Sequence, residues 1–141
     1  MASPQRSNYG TVTLTASTTL SLDEHSGKCI NLNALAGLTV TLPLATGSGE
    51  WFDIYVTTTV TSNSYIIITS GSDVLNGAVA LSSDIAGVSI RAAATDTTLT
   101  MSGSTTGGVV GTYVRCRDVA SAVWNITGTL VSSGAEADPF S

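Results

Sequence analysis

Charged residues are scarce in this 141-residue chain, since Asp, Glu, Lys and Arg together make up only 11% of it. An average soluble domain has about 25%. Serine and threonine therefore cover much of the surface that charged side chains usually cover. Such a surface creates little repulsion between neighbouring molecules, so many copies can pack side by side. The length fits one domain, large enough to bury a core of its own.

Basic residues are the scarcer of the two charge types, with five against ten acids and a formal net charge of -5. They form no basic stripe. Only Arg115 and Arg117 lie close in sequence, and a spacing of two places both on one face of a strand. A protein that binds nucleic acid directly needs a basic patch to neutralise phosphates. We therefore expect no nucleic-acid partner.

Long apolar runs are missing as well. No stretch approaches the roughly 18 consecutive apolar residues of a membrane helix, and residues 1–8 lack the apolar segment of a secretory signal. We expect no membrane association and assembly in a cytosol, where Cys29 and Cys116 stay reduced. Small buried thiols are the favoured interpretation of this pair, and a disulfide is the alternative. With one histidine, His25, the chain shows no metal-ligand spacing.

Catalytic motifs are also absent from the sequence. His25 has Asp23 and Glu24 beside it, but such neighbours are common by chance, and no Gly-x-Ser-x-Gly turn leads from a strand into a helix. Phosphate-binding loops and EF-hand spacings do not occur. We predict no catalytic residues, no cofactor and no metal, and hence no enzyme. A small glycan hydrolase that uses these three residues is the competing view.

The sequence does contain a dense series of short β-branched stretches, separated by Gly, Ser, Asn and Asp. The predicted strands are 11–15, 39–42, 51–56, 65–69, 88–92, 97–101, 112–116 and 123–131. The continuous apolar run Tyr65 to Thr69 indicates a strand buried on both faces. Asn76-Gly77 predicts a hairpin turn. Together these signals predict a single all-β domain, a β-sandwich or barrel of jelly-roll-like type.

The two ends differ from the middle. We divide the chain into an N-terminal arm (1–9), a β domain (10–131) and a C-terminal tail (132–141), and we expect the arm and the tail to be flexible. The acidic tail carries a single aromatic residue, Phe140. Either end can be simply disordered, or it can extend onto a neighbouring subunit as an added strand. Tyr9 and Phe140 are the candidate contact residues at these ends.

The predicted strand 51–56 carries large residues on both faces. Trp51 and Tyr55 lie on the face opposite its aliphatic residues, where an isolated sandwich would meet water. Three interpretations stay open: a central strand with core on both sides, a contact with another subunit or a capsid, or a site where sugar stacks. Trp124 shares a face with Ile126 and is predicted to belong to the core.

Several segments, taken in order, resemble small virion proteins of tailed bacteriophages, which are known as capsid decoration or cement proteins. The likeness spans residue 12 to the end, and its segments are 27–33, 39–49, 52–56, 73–77, 106–111, 124–128 and 139–141. The resemblance implies a β-rich protomer that assembles as a homotrimer on the outer capsid surface. There it would clamp junctions between major capsid proteins. It assigns no active-site residues.

The expected function is therefore structural. The protein would bind the outer surface of a phage capsid and stabilise the shell, with the major capsid protein and its own copies as partners. Its expected location is the virion, after assembly in the host cytoplasm. The alternative is a tail-fibre or receptor-binding β module that contacts a host surface glycan through Trp51 and Tyr55.

Overall fold

Polar and apolar residues alternate along nearly every strand, and this alternation builds two packed sheets. The computed structural model describes residues 10–83 and 87–141. In chain order its elements are β1 (Thr11–Leu14), β2 (Thr18–Thr19), α1 (Leu22–His25), β3 (Cys29–Leu32), β4 (Leu38–Thr41), β5 (Trp51–Val56), β6 (Tyr65–Ile68), β7 (Val74–Ser83), β8 (Gly87–Asp96), β9 (Thr98–Met101), β10 (Tyr113–Ala120) and β11 (Val123–Val131). Across these ranges no helix has the length and apolarity to span a membrane.

The first six strands alternate between the two sheets. β1, β3 and β5 pair in parallel in one sheet, while β2, β4 and β6 pair in parallel in the other. This part of the chain therefore winds like a solenoid. The later strands complete a seven-stranded sheet in the order β1-β3-β5-β10-β11-β7-β8 and a four-stranded sheet in the order β2-β4-β6-β9.

The prediction of one all-β domain is confirmed. The jelly-roll comparison is wrong in its pairing, because a jelly roll is built from antiparallel strands and both sheets here are mixed. Parallel pairing requires each chain segment to cross to the other sheet before it returns. Here the four-stranded sheet supplies that crossing for β1, β3 and β5.

The core lies between the two sheets. On β5 the inward residues Phe52, Ile54 and Val56 are buried, and Trp124 on β11 is 0% exposed. The Trp124 ring lies 5.6 Å from that of Phe52, and its Nε1 donates a hydrogen bond of 3.1 Å to the Pro43 carbonyl. The indole thus has both its apolar body and its polar atom satisfied, as a buried tryptophan requires. The placement of Trp124 in the core is confirmed.

Two local predictions are wrong. Asn76-Gly77 forms no hairpin turn, because both residues lie inside the continuous strand β7. Gly77 has a φ of 142°, and a Cβ at this position would stand 2.2 Å from the Ile126 carbonyl oxygen. The glycine is thus required by the close approach of β11. The strand from Tyr65 is also not buried on both faces, since Ile66 and Ile68 are only half-buried.

The C-terminal segment, expected to be a flexible tail, instead packs as part of the domain. Ser141 N–H donates to the Thr98 carbonyl at 3.0 Å, and Thr100 N–H donates to the Pro139 carbonyl at 2.8 Å. Phe140 bridges to Leu99 and is 8% exposed. Its burial in the core holds the segment along the edge of β9. The predicted N-terminal arm, residues 1–9, lies outside the described residues.

Candidate functional site

The outer face of β5 and β10 brings together aromatic and charged side chains of the seven-stranded sheet. Antiparallel pairing aligns three cross-strand pairs, Trp51 with Arg117, Asp53 with Arg115, and Tyr55 with Tyr113. Neighbours in such pairs have Cβ atoms about 5 Å apart and interact directly. We call these six residues the outer platform.

An ion pair forms the centre of the outer platform. Arg115 Nε donates to Asp53 Oδ1 at 2.7 Å and Arg115 Nη2 to Asp53 Oδ2 at 3.0 Å. Partial burial raises the pKa of Asp53, but hydrogen bonds from Arg115 and Tyr113 outweigh it and lower that pKa below its usual value. Burial and the adjacent Asp53 raise the pKa of the Tyr113 phenol. Asp53 therefore stays ionised near neutral pH and holds Arg115 in place.

Two guanidinium groups approach the Trp51 ring. The Cζ atoms of Arg115 and Arg117 each lie 5.2 Å from the ring centroid, within the range of a cation–π contact. Asp53 neutralises Arg115, whereas Arg117 donates to the uncharged Gly49 carbonyl at 3.3 Å and is exposed. The prediction that the two arginines share a face is confirmed. The outer platform has a local charge of +1 on a protein of net charge -5.

The predicted contact residues lie in different parts of the molecule. Trp51 and Tyr55 lie together on the outer platform, both half-buried, so β5 is a central strand whose second face is neither core nor fully open. Phe140 does not join them, because its ring is buried in the core of its own chain. The prediction that Phe140 contacts another subunit is therefore corrected. Tyr9 lies outside the described residues.

The two cysteines lie on opposite faces of the sheet, with β5 between their strands. Cys29 pairs with Asp53 on the outer side, whereas Cys116 pairs with Phe52 on the inner side. Both are free thiols, so the disulfide alternative is wrong. Burial raises the pKa of Cys116 to about 12, which leaves an inert thiol. The interpretation as a small buried residue holds for Cys116, while Cys29 is half-buried.

His25, which the competing view made a catalytic residue, lies buried in the loop around α1. It is 5% exposed, and its Nδ1 accepts a 3.0 Å hydrogen bond from the Ser21 N–H. The Ser21 hydroxyl in turn caps α1 by accepting from the Glu24 N–H. Asp23 is exposed. His25 thus closes the turn around α1 through its imidazole.

Sequence reasoning missed Asp118, a 1% exposed carboxylate at the end of β10. It accepts backbone hydrogen bonds from Thr46 at 3.0 Å, Gly47 at 2.7 Å and Ser48 at 3.2 Å, and the Ser48 hydroxyl donates at 2.8 Å. Burial raises the pKa of Asp118, but these hydrogen bonds outweigh it and lower the pKa below its usual value. The sequence did carry a signal for this contact. Asp118 is an acid at an inward position of a strand, and a Gly-rich loop occurs elsewhere in the chain.

Comparisons with protein-family models, with curated protein sequences and with solved structures gave no match. Within residues 10–83 and 87–141, no three His, Cys, Asp or Glu side chains group as metal ligands would. The outer platform therefore stands as the candidate site on its own geometry. Its aromatic rings and guanidinium groups are suited to non-covalent contact with a partner.

Proposed function

We propose that this protein is a structural component of a tailed-phage virion that binds the outer surface of the capsid and stabilises the shell. The major capsid protein and further copies of the chain, as a homotrimer, are its proposed partners. The resemblance of the segments between residue 12 and the C-terminus to decoration proteins supports this proposal. The outer platform supplies the contact surface.

The composition of the outer platform is the observation that carries the proposal. Tryptophan, tyrosine and arginine are the residues that most often dominate the energy of protein–protein interfaces. Trp51, Tyr55, Tyr113, Arg115 and Arg117 gather here on two adjacent strands. The ion pair between Asp53 and Arg115 restrains this set, so little side-chain freedom is lost when a partner binds.

Charge defines the kind of partner surface. The exposed Arg117 gives the outer platform a positive charge, whereas the whole chain is acidic. Complementary potentials favour the correct orientation and increase the rate of association. The proposed capsid surface is therefore acidic where it meets the platform, with apolar groups that cover the Trp51 ring.

Shell stabilisation then follows from copy number. A stable specific contact buries about 1,600 Å² in total. A copy that spreads this area over two capsid subunits must lose contacts whenever those subunits separate. A trimer engages several subunits at once, so its overall affinity exceeds that of one contact by the gain in effective concentration.

Sugar stacking on Trp51, the tail-fibre alternative, needs an uncovered ring face. Both arginines lie over the ring at 5.2 Å, and guanidinium groups in that position compete with a sugar for the indole. The same arrangement suits a protein surface with acidic groups. The geometry of the outer platform therefore favours a protein partner.

The experiment measures the copies bound when purified shells lacking this protein are cosedimented with increasing amounts of it. Wild-type protein should saturate at hundreds of copies per shell. Arg117→Glu should weaken binding at least tenfold, about 1.4 kcal/mol, because it reverses the exposed charge of the outer platform. Lys28→Glu is the matched control: it makes the same change in net charge at a residue just before β3, outside the platform, and should bind as wild type.

Two results would overturn the proposal. The first is unchanged affinity of Arg117→Glu together with a normal thermal midpoint. The second is a particle image that places a few copies on the tail. Binding of the purified protein to host surface polysaccharide, lost in Trp51→Ala, would favour the receptor-binding alternative.

A further inference from the structure

β8 is the outermost strand of the seven-stranded sheet and the longest edge in the described part of the chain. It spans Gly87–Asp96 and pairs on one side with β7, while no described strand pairs with its other side. The remaining edges are short or covered, since β1 has four residues, β2 has two, and the C-terminal segment lies along β9. An open edge of ten residues offers a row of backbone donors and acceptors to another strand.

The side chains of β8 do not protect this edge. Val88 and Ile90 are each 70% exposed, and Ala92, on the same face, is exposed. Proteins usually guard an open edge with lysine, proline or several charges. From residue 87 to residue 95 the strand has no proline, and Arg91 is its only charge.

The inward side of β8 has an unsatisfied polar atom. Ser89 Oγ is buried and has no hydrogen-bond partner among the described residues. Two positions along the strand, Arg91 is half-buried and uses its Nη1 on the Ile90 carbonyl, its own strand neighbour, at 3.3 Å. The Ser89 hydroxyl lacks a hydrogen-bond donor, and an arginine such as Arg91 could supply one. On a single strand, however, these two residues lie side by side along the edge.

An identical strand can supply that partner. In antiparallel pairing about a two-fold axis, three registers keep the arginines apart and pair most of the strand, and they are centred on Ile90, Ala92 and Ala93. The Ala92 and Ala93 registers both run through the irregularity of β8 between Ala93 and Asp96, and they set Val88 or Ile90, respectively, opposite the Asp96 carboxylate. The Ile90 register sets Ile90 opposite its own copy.

The Ile90 register also provides a hydrogen-bond donor for the buried Ser89 hydroxyl. It places Ser89 of one copy opposite Arg91 of the other, twice by symmetry, and arginine is a donor that the serine oxygen can accept from. Val88 of each copy falls opposite Ala92 of the other, so the exposed apolar side chains cover one another. Both apolar contact and hydrogen bonding therefore select the same arrangement.

We propose that a second copy of this chain pairs edge to edge with β8, antiparallel and centred on Ile90, and extends the seven-stranded sheet through both molecules. This inference goes beyond the proposed capsid binding, because it concerns a contact between copies and not the outer platform. A homotrimer would need a separate three-fold contact, and the β8 contact would then link copies of adjacent trimers.

The first test is the mass of the purified full chain, measured by sedimentation velocity over a dilution series. A two-strand contact is smaller than the roughly 1,600 Å² of a standard interface, so we expect a concentration-dependent species of twice the monomer mass. Ile90→Lys should abolish it, because two ammonium groups would then lie opposite each other. Val110→Lys, at an exposed valine outside β8, should leave it unchanged.

The second test fixes the register by oxidative cross-linking. Ile90→Cys should form a disulfide-linked dimer, because the two sulfurs would lie opposite each other across the axis, whereas Arg91→Cys should not. The wild type, with Cys29 and Cys116, gives the background. An oligomer that persists in folded Ile90→Lys, a monomer at every concentration, or cross-linking by Arg91→Cys alone would each overturn the proposal. Loss of shell binding with an intact β8 dimer would contradict the proposed function only.

Discussion

The two faces of the seven-stranded sheet differ sharply although the same strands build both. On β5 and β10 the inward residues include Phe52, Ile54 and Val114, all almost fully buried, whereas the outward residues include Trp51 and Arg115, which remain partly exposed. The inner face packs against the four-stranded sheet and excludes water. The outer face keeps charge and aromatic surface available. We infer that the inner face sets the stability of the domain, and that the outer face sets its contacts.

The largest loss of unfolding free energy should come from removing a large buried side chain from the inner face. Trp124→Ala removes a side chain that is fully buried and also leaves the Pro43 carbonyl without its donor. A buried tryptophan replaced by alanine costs about 4 kcal/mol. Urea denaturation at constant protein concentration measures the free energy of unfolding. Val119→Ala, at a 48% exposed position of β10, should change it by less than about 0.5 kcal/mol. A loss below about 1 kcal/mol for Trp124→Ala would contradict the division between the faces.

An intermediate effect should come from Asp118, which sits where the inner face ends and binds the loop at 46–48. Asp118→Asn replaces two accepting oxygens by one oxygen and an NH₂ group that faces backbone N–H donors. We expect a loss of about 2 kcal/mol at pH 7 from these unmet donors. Asp23→Asn, at an exposed acid of α1, is the control and should cost little.

The pH dependence of this effect has a defined sign. Asp118 has a folded-state pKa below the value of about 4 that is usual for an aspartate in an unfolded chain, so the unfolded chain takes up the proton first as pH falls. Its contribution is therefore present at pH values well above this unfolded-state pKa and is lost as pH falls through the folded-state pKa. The difference in unfolding free energy between wild type and Asp118→Asn should narrow over that window. A constant difference would show that Asp118 does not titrate as described.

The smallest effect should come from the outer face. Asp53→Asn breaks the ion pair with Arg115, whose side chain is 41% exposed. Exposed ion pairs contribute about 0.5 kcal/mol, so urea denaturation should detect a change of only that order. A double-mutant cycle with Arg115→Gln isolates the pair energy. A coupling above about 1.5 kcal/mol would show that the outer platform, the proposed contact surface, also stabilises the fold.

Much of the strand content could be predicted from the sequence, because alternation is local. The predicted ranges 51–56 and 123–131 coincide with β5 and β11, and the placement of Trp51 and Tyr55 opposite the aliphatic residues follows from the same period of two. The hairpin at Asn76-Gly77 failed because glycine serves two purposes. It permits a turn, and it also permits a neighbouring backbone to approach, as Ile126 does.

The candidate site could be predicted only in part. The shared face of Arg115 and Arg117 follows from their spacing, but their position over Trp51 depends on β5 and β10 becoming neighbours more than 50 residues apart in sequence. Phe140 was predicted to contact another subunit but is buried in its own chain. A lone aromatic in a polar segment gives no local sign of whether its own core or another subunit will bury it.

The sequence by itself determined the all-β class, the two faces of each strand and the charge-poor exterior, since these depend on residue type and on a period of two. Only the tertiary structure decided which strands pair, in which direction, and which distant residues meet, such as Asp118 with the loop at 46–48. Backbone hydrogen bonds are the same for every residue, so they do not specify a partner strand. The fit of side chains between the two sheets makes that choice, and it exists only once the chain has folded.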